Sequence, residues 1–473
     1  MKTKSNRLSL FRSATLIVAA LLIGGCLKER LAWSPDGKHA AIVCADGLYL
    51  SDANGKLSPL LAPEAYRVAW LPDSQRLVLA RRKQAKTFAD VAAALGPDRA
   101  RALAAKAELL GKTLKELPRA KELEKLLSDE LGADIWGVVA YLREQPHYLK
   151  ALREKLGTEW KEEDETKPID LNEVVIARVK GATLEFGPPL FVGLPEIHSL
   201  RPAPGGQAVA FAMQLELSPH PDSGICVFVA PTDAATPAVI VATQSTSGPD
   251  WNHDGRSLVF LKASGSISTG DTLRLGALVQ REVLDASGRI QPAAESSDLA
   301  GLIFHQQNRV RCLRDGRVLF NASPFTLPAT GSNEKDREQL FMLDRGGEMT
   351  VRPLIPPAQL EQLPKALSIF EVSPDESHVL FCGDNAEVWL FTLATGAVER
   401  VAARLESDKG KGEGENYPAA VWRASGEITF LRRTTSAPGQ IGPGFFELIL
   451  RRGTTDTVLS RDWDPAILRR LIE

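Results

Sequence analysis

Cysteine is the residue type of this chain whose positions most invite chemistry, since a thiolate can act as a nucleophile or bind a metal. Cys26 stands directly after a short apolar run and two glycines. The other four cysteines lie in or beside apolar, strand-like runs, outside any C-x-x-C pair or Cys/His cluster with zinc spacing. We interpret them as buried packing thiols, and their spacing assigns no disulfide pairing; they are Cys44, Cys226, Cys312 and Cys382.

Sequence motifs that would indicate an enzyme are absent. The chain has no Gly-x-Ser-x-Gly nucleophile elbow, no P-loop and no dinucleotide-binding fingerprint. Its seven histidines are scattered: His39 and His378 are expected on strand surfaces and His253 in a turn, whereas His147 and Tyr148 are interpreted as ordinary helix residues. We therefore assign no catalytic residue, no metal ligand and no cofactor, leave ligand-binding residues unassigned, and favour a protein that is not an enzyme.

The N-terminus carries the most specific signal in the sequence. Four basic residues between Lys2 and Arg12 precede an apolar run from Ala14 to Ile23, and small residues follow. This order is typical of a secretory signal peptide, whose cleavage site needs an extended backbone without bulky side chains. Because the apolar run is shorter than the roughly 20 residues of a membrane-spanning helix, we expect residues 1–25 to be removed, with an uncleaved anchor and simple secretion as alternatives.

The segment Ile23-Gly24-Gly25-Cys26 resembles the lipobox of bacterial lipoproteins. In that family the thiol of the cysteine receives a diacylglyceryl group and the cysteine becomes the new N-terminus. The resemblance implies lipidation at Cys26, a short tether over residues 26–30 and a membrane partner reached through the lipid. It also implies an extracytoplasmic location at the cell membrane or outer membrane; Leu27, where an Asp would favour inner-membrane retention, favours the outer membrane.

The charge balance excludes one class of partner. The 473 residues carry a formal net charge of -2, and the chain after residue 25 has 53 basic against 59 acidic residues. Proteins that bind nucleic acid usually carry a basic patch or an excess of basic residues. We therefore expect no nucleic-acid partner.

A turn motif recurs along the rest of the chain. Its clearest copy, Trp33-Ser34-Pro35-Asp36-Gly37, lies between two apolar, strand-like runs. Pro presets φ, Asp accepts hydrogen bonds from the turn backbone and Gly accepts positive φ, while the Trp can pack between neighbouring sheets. We therefore interpret Asp36, Asp73, Asp254 and Asp375 as turn residues rather than catalytic ones. Seven copies begin near Arg30, Val68, Leu200, Pro249, Val310, Phe370 and Ala420.

These repeats resemble the TolB-like, WD-type propeller repeat, over most of the chain apart from the N-terminal segment and one insertion. The resemblance implies a mainly β fold, a β-propeller with four antiparallel strands in each blade, labelled A to D. Seven blades are preferred over six or eight, although the fifth repeat lacks the Trp and the Pro. Such a signature is specific for fold and uninformative about function.

An α-helical insertion interrupts the second blade. We place the propeller at 31–82 and 167–462, the insertion at 83–166 and a helical tail at 463–473. Thr87 and Asp134 are expected to cap helices, and Pro97 and Pro146 to begin them. The apolar stripes of these helices favour packing on each other, with packing on the propeller, a lid or a partner-docking surface as alternatives.

Loop lengths distinguish the two ends of the expected strands. The A–B and C–D turns are short, whereas long connections of the B–C and D–A type occur at 214–223, 262–271, 321–338, 406–416 and 433–444. Since loops on a rigid scaffold carry function, we expect the elaborated face, which includes the insertion, to be the working face and to lie near the membrane. Three Arg pairs, 432–433, 451–452 and 469–470, are interpreted as solvated strand or helix ends.

The leading hypothesis is thus a membrane-anchored propeller lipoprotein that scaffolds an envelope protein or peptide, as TolB-like relatives suggest. The alternative is a glycan-binding or glycan-processing propeller, which a ring of carboxylates, histidines and aromatics around the channel mouth would favour. A purely structural lipoprotein is a third hypothesis.

Overall fold

The computed structural model describes residues 30–116, 134–156, 166–215, 224–246, 248–266, 273–291, 294–305, 308–323, 339–345, 349–360, 363, 369–382, 387–402, 420–434 and 445–472. The expected signal peptide and Cys26 lie outside these residues, as does at least half of each long connection named above, so the contrast between the two faces stays a prediction. No helix in the described part is long and apolar enough to cross a membrane. The described chain forms two compact units, a central one (Leu60–Ile355) and a terminal one made of the residues before and after it.

Antiparallel strands dominate the central unit. Sheets form between strands that follow one another in sequence: one from β5 to β8, one of eight strands from β9 to β16, and one from β17 to β20. The strands are β4 (Ala62–Pro63), β5 (Ala65–Trp70), β6 (Arg76–Ala85), β7 (Ile169–Lys180), β8 (Thr183–Gly193), β9 (Ile197–Pro202), β10 (Ala208–Leu215), β11 (Gly224–Pro231), β12 (Val239–Ser245), β13 (Asp250–Trp251), β14 (Ser257–Ser266), β15 (Leu273–Glu282), β16 (Ser296–His305), β17 (Val310–Cys312), β18 (Val318–Ala322), β19 (Gln339–Asp344) and β20 (Thr350–Pro353).

Apolar side chains fill the space between successive sheets of the central unit. Phe191, Phe211 and Phe228 share one cluster, in which the rings of Phe211 and Phe228 stack at 5.3 Å between centroids. Further along the chain, Phe260 and Phe320 lie in two later clusters of the same kind. Burial of such large apolar side chains is the main stabilising contribution to a layered β fold.

The terminal unit repeats this architecture. Its first sheet contains β1 (Leu31–Trp33), β2 (His39–Cys44) and β3 (Gly47–Asp52). A second sheet contains β21 (Ile369–Val372), β22 (His378–Cys382), β23 (Val388–Thr392) and β24 (Val398–Ala402). A third contains β25 (Val421–Trp422), β26 (Ile428–Thr434), β27 (Phe445–Arg452) and β28 (Thr455–Val458). Counted along the chain, the 28 described strands fall into seven consecutive groups of four. The chain therefore has a mainly β, propeller-type fold, as predicted; the number of blades stays a prediction.

The repeated turns have the geometry that the motif predicts. Glycine lies at positive φ at the end of several of them, for example Gly37 at 68° and Gly255 at 67°, while Ser74 and Glu376 adopt the same left-handed conformation in two others. The motif carboxylates accept backbone N–H groups two residues later at 2.8–3.2 Å; they belong to Asp36, Asp73, Asp254 and Asp375.

Three motif tryptophans each join their own group of four strands to a neighbouring group. Trp251 donates its indole N–H to the Arg201 carbonyl at 2.8 Å, and Trp422 donates to the Glu371 carbonyl at 3.3 Å. In the terminal unit Trp33 donates to Thr429 Oγ1 at 2.9 Å. Packing between neighbouring sheets is thus confirmed, with an added hydrogen bond that the repeat did not predict.

One connection of the C–D type is longer than expected. The turn Asp285–Gly288 is tight, but β15 ends at Glu282 and β16 begins only at Ser296. A bridge between Leu284 and Ile290 closes a small side hairpin within this connection. The expectation that all such connections are short is therefore wrong here, because the turn closes that hairpin rather than the sheet.

Cys44, Cys226 and Cys312 form no disulfide bond. Cys44 and Cys226 are buried, as predicted for packing thiols, whereas Cys312 is half-buried and the side chain of Cys382 lies outside the described part. Burial raises the pKa of the Cys44 thiol to about 12, which keeps it in the unreactive protonated form.

Candidate functional site

The helical insertion is carried on a ribbon of two strands. β6 and β7 pair from Arg76–Arg178 to Ala85–Ile169, whereas the flanking strands reach only Arg81 and Asn172. The last three or four residue pairs of the ribbon therefore extend beyond the sheet. The sequence placed the end of β6 near Arg82 and the next strand at Val174; both strands are longer, because each satisfies the other's backbone groups out to the insertion.

In the described residues of the insertion four helices follow: α1 (Phe88–Leu95), α2 (Pro97–Glu116), α3 (Ile135–Arg143) and α4 (Pro146–Leu156). Pro97 and Pro146 begin helices as predicted. Thr87 caps α1 as predicted: its hydroxyl accepts the N–H of Asp90 at 3.1 Å, and the Asp90 carboxylate accepts the N–H of Thr87 at 2.9 Å.

The prediction that Asp134 caps a helix is wrong. Its backbone, at φ -77° and ψ -9°, is already helical, and its side chain makes no capping hydrogen bond. A capping side chain reaches the first free N–H groups from an extended backbone. The Asp134 carboxylate instead binds the Lys106 ammonium at 2.7 Å and so links α3 to α2.

The helices pack on each other, which confirms the favoured arrangement for the described residues, and they also pack on the ribbon. Ala85, Ile169 and Leu171 of the ribbon and Leu194 just beyond β8 belong to the same buried cluster as the helices. The helical members of this cluster are Val91, Leu103, Ala107, Leu110, Val138, Ala140, Leu142 and Tyr148. Leu117, Leu123 and Leu127 of the predicted stripe lie outside the described residues.

A carboxylate between two tyrosines fastens the helices together. Glu108 of α2 accepts the Tyr141 hydroxyl of α3 at 2.6 Å and the Tyr148 hydroxyl of α4 at 2.7 Å. These two hydrogen bonds hold the pKa of Glu108 below its ordinary value and raise the pKa of each tyrosine. Tyr148, which the sequence left as an isolated helix residue, is thus a buried member of the insertion's core, and the ring of His147 lies 3.9 Å from its ring.

Polar contacts fix the base of the ribbon to the sheet. The Tyr66 hydroxyl donates to Asn172 Oδ1 at 2.9 Å and accepts the N–H of Ile197 at 3.0 Å. Beside it the buried carboxylate of Glu173 binds Arg81 at 3.0 Å and Lys83 at 3.6 Å. A buried carboxylate is tolerated only when it is paired in this way. These contacts therefore fix the base of the ribbon that carries the insertion.

The insertion presents large apolar side chains to solvent. Trp136 of α3 is 55% exposed and Leu109 of α2 is 62% exposed. The other described tryptophans are buried or half-buried. The Lys167 ammonium lies 5.9 Å from the centre of the Trp136 ring, within cation–π range. An aromatic side chain flanked by a cation is the feature of this site that could bind a ligand or partner.

The remaining sequence predictions for side chains have mixed outcomes. His39 and His253 are exposed as predicted, but His378 is half-buried, with its Nδ1 2.6 Å from Ser377 Oγ. The Arg pairs are strand and helix ends, as interpreted, and each has a described member bound to a carboxylate. These ion pairs are Arg432 with Glu447, Arg451 with Asp456, Arg452 with Glu427, and Arg470 with Asp46.

The first strand of each four-strand group in the central unit carries one charged arginine or aspartate. β5, β9, β13 and β17 follow one another; the Arg67 guanidinium donates to the Ile197 carbonyl at 2.5 Å, and the Cys312 N–H donates to Asp250 at 3.0 Å. Arg201 and Arg311 also lie on these strands. Within the described residues, no group of three or more His, Cys, Asp or Glu side chains could hold a metal ion.

A groove of about 380 Å³ opens at the end of the second blade opposite the insertion. It lies between the β7–β8 hairpin and the turn after β11, and Arg178, Glu185, Phe186 and Asp233 are among its lining residues. This groove is not predictable from the sequence, because the two turns that form it are about 50 residues apart and of ordinary composition.

Comparison with known proteins identifies no family for this chain. No family model and no curated protein matches the chain. Among solved structures it is similar to an oligogalacturonate lyase in complex with manganese, with TM-score 0.46, 10% identity, and 86% of this chain and 85% of that chain covered. It is also similar to prolyl oligopeptidase B from Galerina marginata, with TM-score 0.46, 10% identity, and 98% and 57% covered. A third is the β-propeller domain of the Trilobed protease from Pyrococcus furiosus, with TM-score 0.37, 12% identity, and 61% and 74% covered.

The chain spans 57% of the Galerina enzyme and 40% of an acylaminoacyl peptidase from Pyrococcus horikoshii, which is also similar in structure. At these identities such likenesses concern the fold alone. The chain is a β-propeller protein with a helical insertion.

Proposed function

We propose that this chain is a lipid-anchored propeller of the cell envelope, and that its helical insertion recognises an envelope protein or peptide. The anchor is inferred from the lipobox-like segment that ends at Cys26. The observation that carries the recognition role is the exposed Trp136, held on an insertion with its own buried core.

The insertion suits recognition for two physical reasons. Tryptophan is enriched among the few residues that dominate binding energies, since it buries a large area at a small entropic cost. The Glu108 contacts and the fixed ribbon also order the helices before a partner arrives, so binding would lose little further conformational entropy.

The anchor is tested by the intact mass of the protein extracted from membranes, comparing wild type with Cys26→Ala. We expect a diacylated or triacylated N-terminal Cys26 in the wild type, and loss of both the lipid and the membrane fraction in the variant. An unmodified Cys26 on a retained N-terminus would overturn the anchor.

The recognition role is tested by placing a photo-crosslinking amino acid at position 136 in cells. A matched control carries it at Met349, which is 51% exposed in the same unit but lies outside the insertion. We expect a discrete adduct from position 136 and none from position 349. The same adducts at both positions, or none at position 136, would contradict it.

A second candidate function, binding of an anionic glycan, is favoured by the arginines on β5 and β9, Arg67 and Arg201. Acidic groups on a saccharide would pair with guanidinium groups by charge-assisted hydrogen bonds. Calorimetric titration with acidic and neutral oligosaccharides of equal length tests it. Heat released with the acidic series alone supports this function, and no binding of either series contradicts it.

A further inference from the structure

The C-terminal segment packs back onto the first sheet. After β28 the chain reaches Trp463 and then helix α6 (Pro465–Ile472), which has only eight residues. An isolated helix of this length is unstable in water. The position of α6 must therefore come from its contacts with the sheets. The terminal unit also contains a four-residue helix, α5 (Pro357–Leu360).

Apolar contacts of this segment reach both the first and the last sheet. Trp463 and Leu471 are 7% and 1% exposed and share a buried cluster with Cys44, Tyr49 and Leu448. The Trp463 indole N–H also donates to the Gly55 carbonyl at 2.6 Å. Trp463 therefore binds residues on both sides of the contact between the two sheets.

Polar contacts hold the far end of α6 to the turn between β2 and β3. The Ala45 N–H donates to the Arg470 carbonyl at 2.8 Å, and the Arg470 guanidinium forms an ion pair with Asp46. At the start of the first sheet, Arg30 donates to the Leu471 carbonyl at 3.0 Å. Carbonyls at the end of a helix lack partners within it, and these contacts supply them.

No described strand is shared between the first and last sheets. The strands of the first sheet all precede residue 64, whereas β25–β28 all follow residue 420. Their backbones nevertheless meet closely: a Cβ added at Gly55, whose φ is +90°, would lie 2.0 Å from the Leu459 carbonyl oxygen. The join between the two ends of the chain therefore depends on packing and on the C-terminal segment.

We propose that residues Trp463–Ile472 form a clasp that locks the first sheet against the last in place of a shared strand, and that this clasp opens as a local unit. Opening would uncover Cys44, whose Sγ lies 3.6 Å from the Ile467 carbonyl. Segments held by few contacts exchange locally without unfolding the whole protein. The buried Cys44 thiol thus reports directly on the clasp.

The test is the rate of thiol labelling at each cysteine of the full chain, resolved by peptide mass spectrometry. Trp463→Ala should speed labelling of Cys44 by at least about 10-fold and leave Cys226, which is buried in the central unit, unchanged. Unchanged labelling of Cys44, or equal acceleration at both cysteines, would overturn the clasp.

A milder variant keeps the proposal testable if Trp463→Ala does not fold. Asp46→Asn removes the charge that pairs with Arg470 and should accelerate labelling of Cys44 by a few-fold, since a partly exposed ion pair contributes modestly. Asp36→Asn is the matched control, because it alters a carboxylate on the turn between β1 and β2 of the same sheet. Equal effects of the two Asn variants on Cys44 would overturn the proposal.

Discussion

The repeated sheets and the helical insertion are stabilised in different ways. In the sheets the same contacts recur: Asp36, Asp73, Asp254 and Asp375 accept N–H groups in their turns. Trp33, Trp251 and Trp422 each donate to a neighbouring group of four strands. In the insertion each contact occurs once, as with Glu108 between its two tyrosines. The insertion also shares one buried cluster among all its described helices.

This difference indicates how each region responds to damage. Loss of one repeated contact affects a single pair of sheets, because the other copies remain. Loss of one core residue in the insertion affects all of its helices at once. Because the insertion joins the sheets through one ribbon, we expect it to open without unfolding them.

The largest expected effect is that of Leu103→Ala in α2. Leu103 is 3% exposed, and removing a buried Leu side chain costs about 2–5 kcal/mol. Hydrogen exchange should show this loss in peptides of α2 and α3, with protection of β10 and β14 unchanged. The control Leu109→Ala alters an exposed position of the same helix and should change stability by less than about 0.5 kcal/mol. Equal loss of protection in the sheets would break the proposed independence.

The next effect is the change in stability of the insertion when Gly111 is replaced by alanine. Alanine normally stabilises a helix relative to glycine, but a Cβ at Gly111 would lie 2.4 Å from a ring carbon of Tyr148. We expect Gly111→Ala to destabilise the insertion by about 1–3 kcal/mol, as overpacking does. Hydrogen-exchange rates of peptides from α2 and α4 show whether the substitution destabilises or stabilises the insertion. Gly301→Ala, where a Cβ would meet nothing within 4 Å, is the control; a stabilised insertion in the Gly111 variant would show that Tyr148 can move aside.

A smaller effect tests the repeated contacts. Trp251→Phe and Trp422→Phe remove similar volumes, but the hydrogen bond of Trp251 is 2.8 Å long and that of Trp422 is 3.3 Å long. A net hydrogen bond contributes about 1 kcal/mol, so the Trp251 variant should lose more stability in urea unfolding. The loss of hydrogen-exchange protection should stay within the two groups of strands that each Trp joins. If either variant also lost hydrogen-exchange protection in the insertion, the two regions would not be stabilised independently.

Local and repeated features were the ones that the sequence predicted. The turn carboxylates, the Trp residues of the repeated motif, the Thr87 cap and the two helix-starting prolines depend on residues a few positions apart. Asp134 failed as a cap because its backbone is helical and Lys106, 28 residues earlier, competes for its carboxylate. A long-range partner of this kind leaves no trace in a single sequence.

The candidate site was predicted only in outline. The place of the insertion in the second blade followed from the interrupted repeat, and its internal packing followed from the apolar stripes. The Glu108 cluster did not, because 33 and 40 residues separate Glu108 from its tyrosines. The exposure of Trp136 could not be predicted either, since the helical period of α3 alone does not show which face of this helix its neighbours cover.

The smallest effect is an acid sensitivity of the repeated turns, best seen at Asp375. Hydrogen bonds from Ser373 and Ser377 lower the pKa of this carboxyl from 3.8 to about 2. Because the folded protein favours the ionised form, the stabilisation that the Asp375 carboxylate contributes is complete above about pH 4. It is lost as the pH falls toward 2. The carboxyl is largely exposed, so solvent screening limits it to less than about 1 kcal/mol.

Urea unfolding of wild type and Asp375→Asn at pH 7, 4 and 3 measures this contribution. The wild type should be the more stable at pH 7, and the difference should shrink as the pH falls. The control Asp298→Asn removes an exposed carboxylate on a strand and should not reproduce that change. A difference that stayed constant down to pH 3 would mean that the turn depends on the shape of Asp375 and not on its charge. Each repeated turn would then be insensitive to acid, and the carboxylate of Glu108 would leave the insertion as the more acid-sensitive of the two regions.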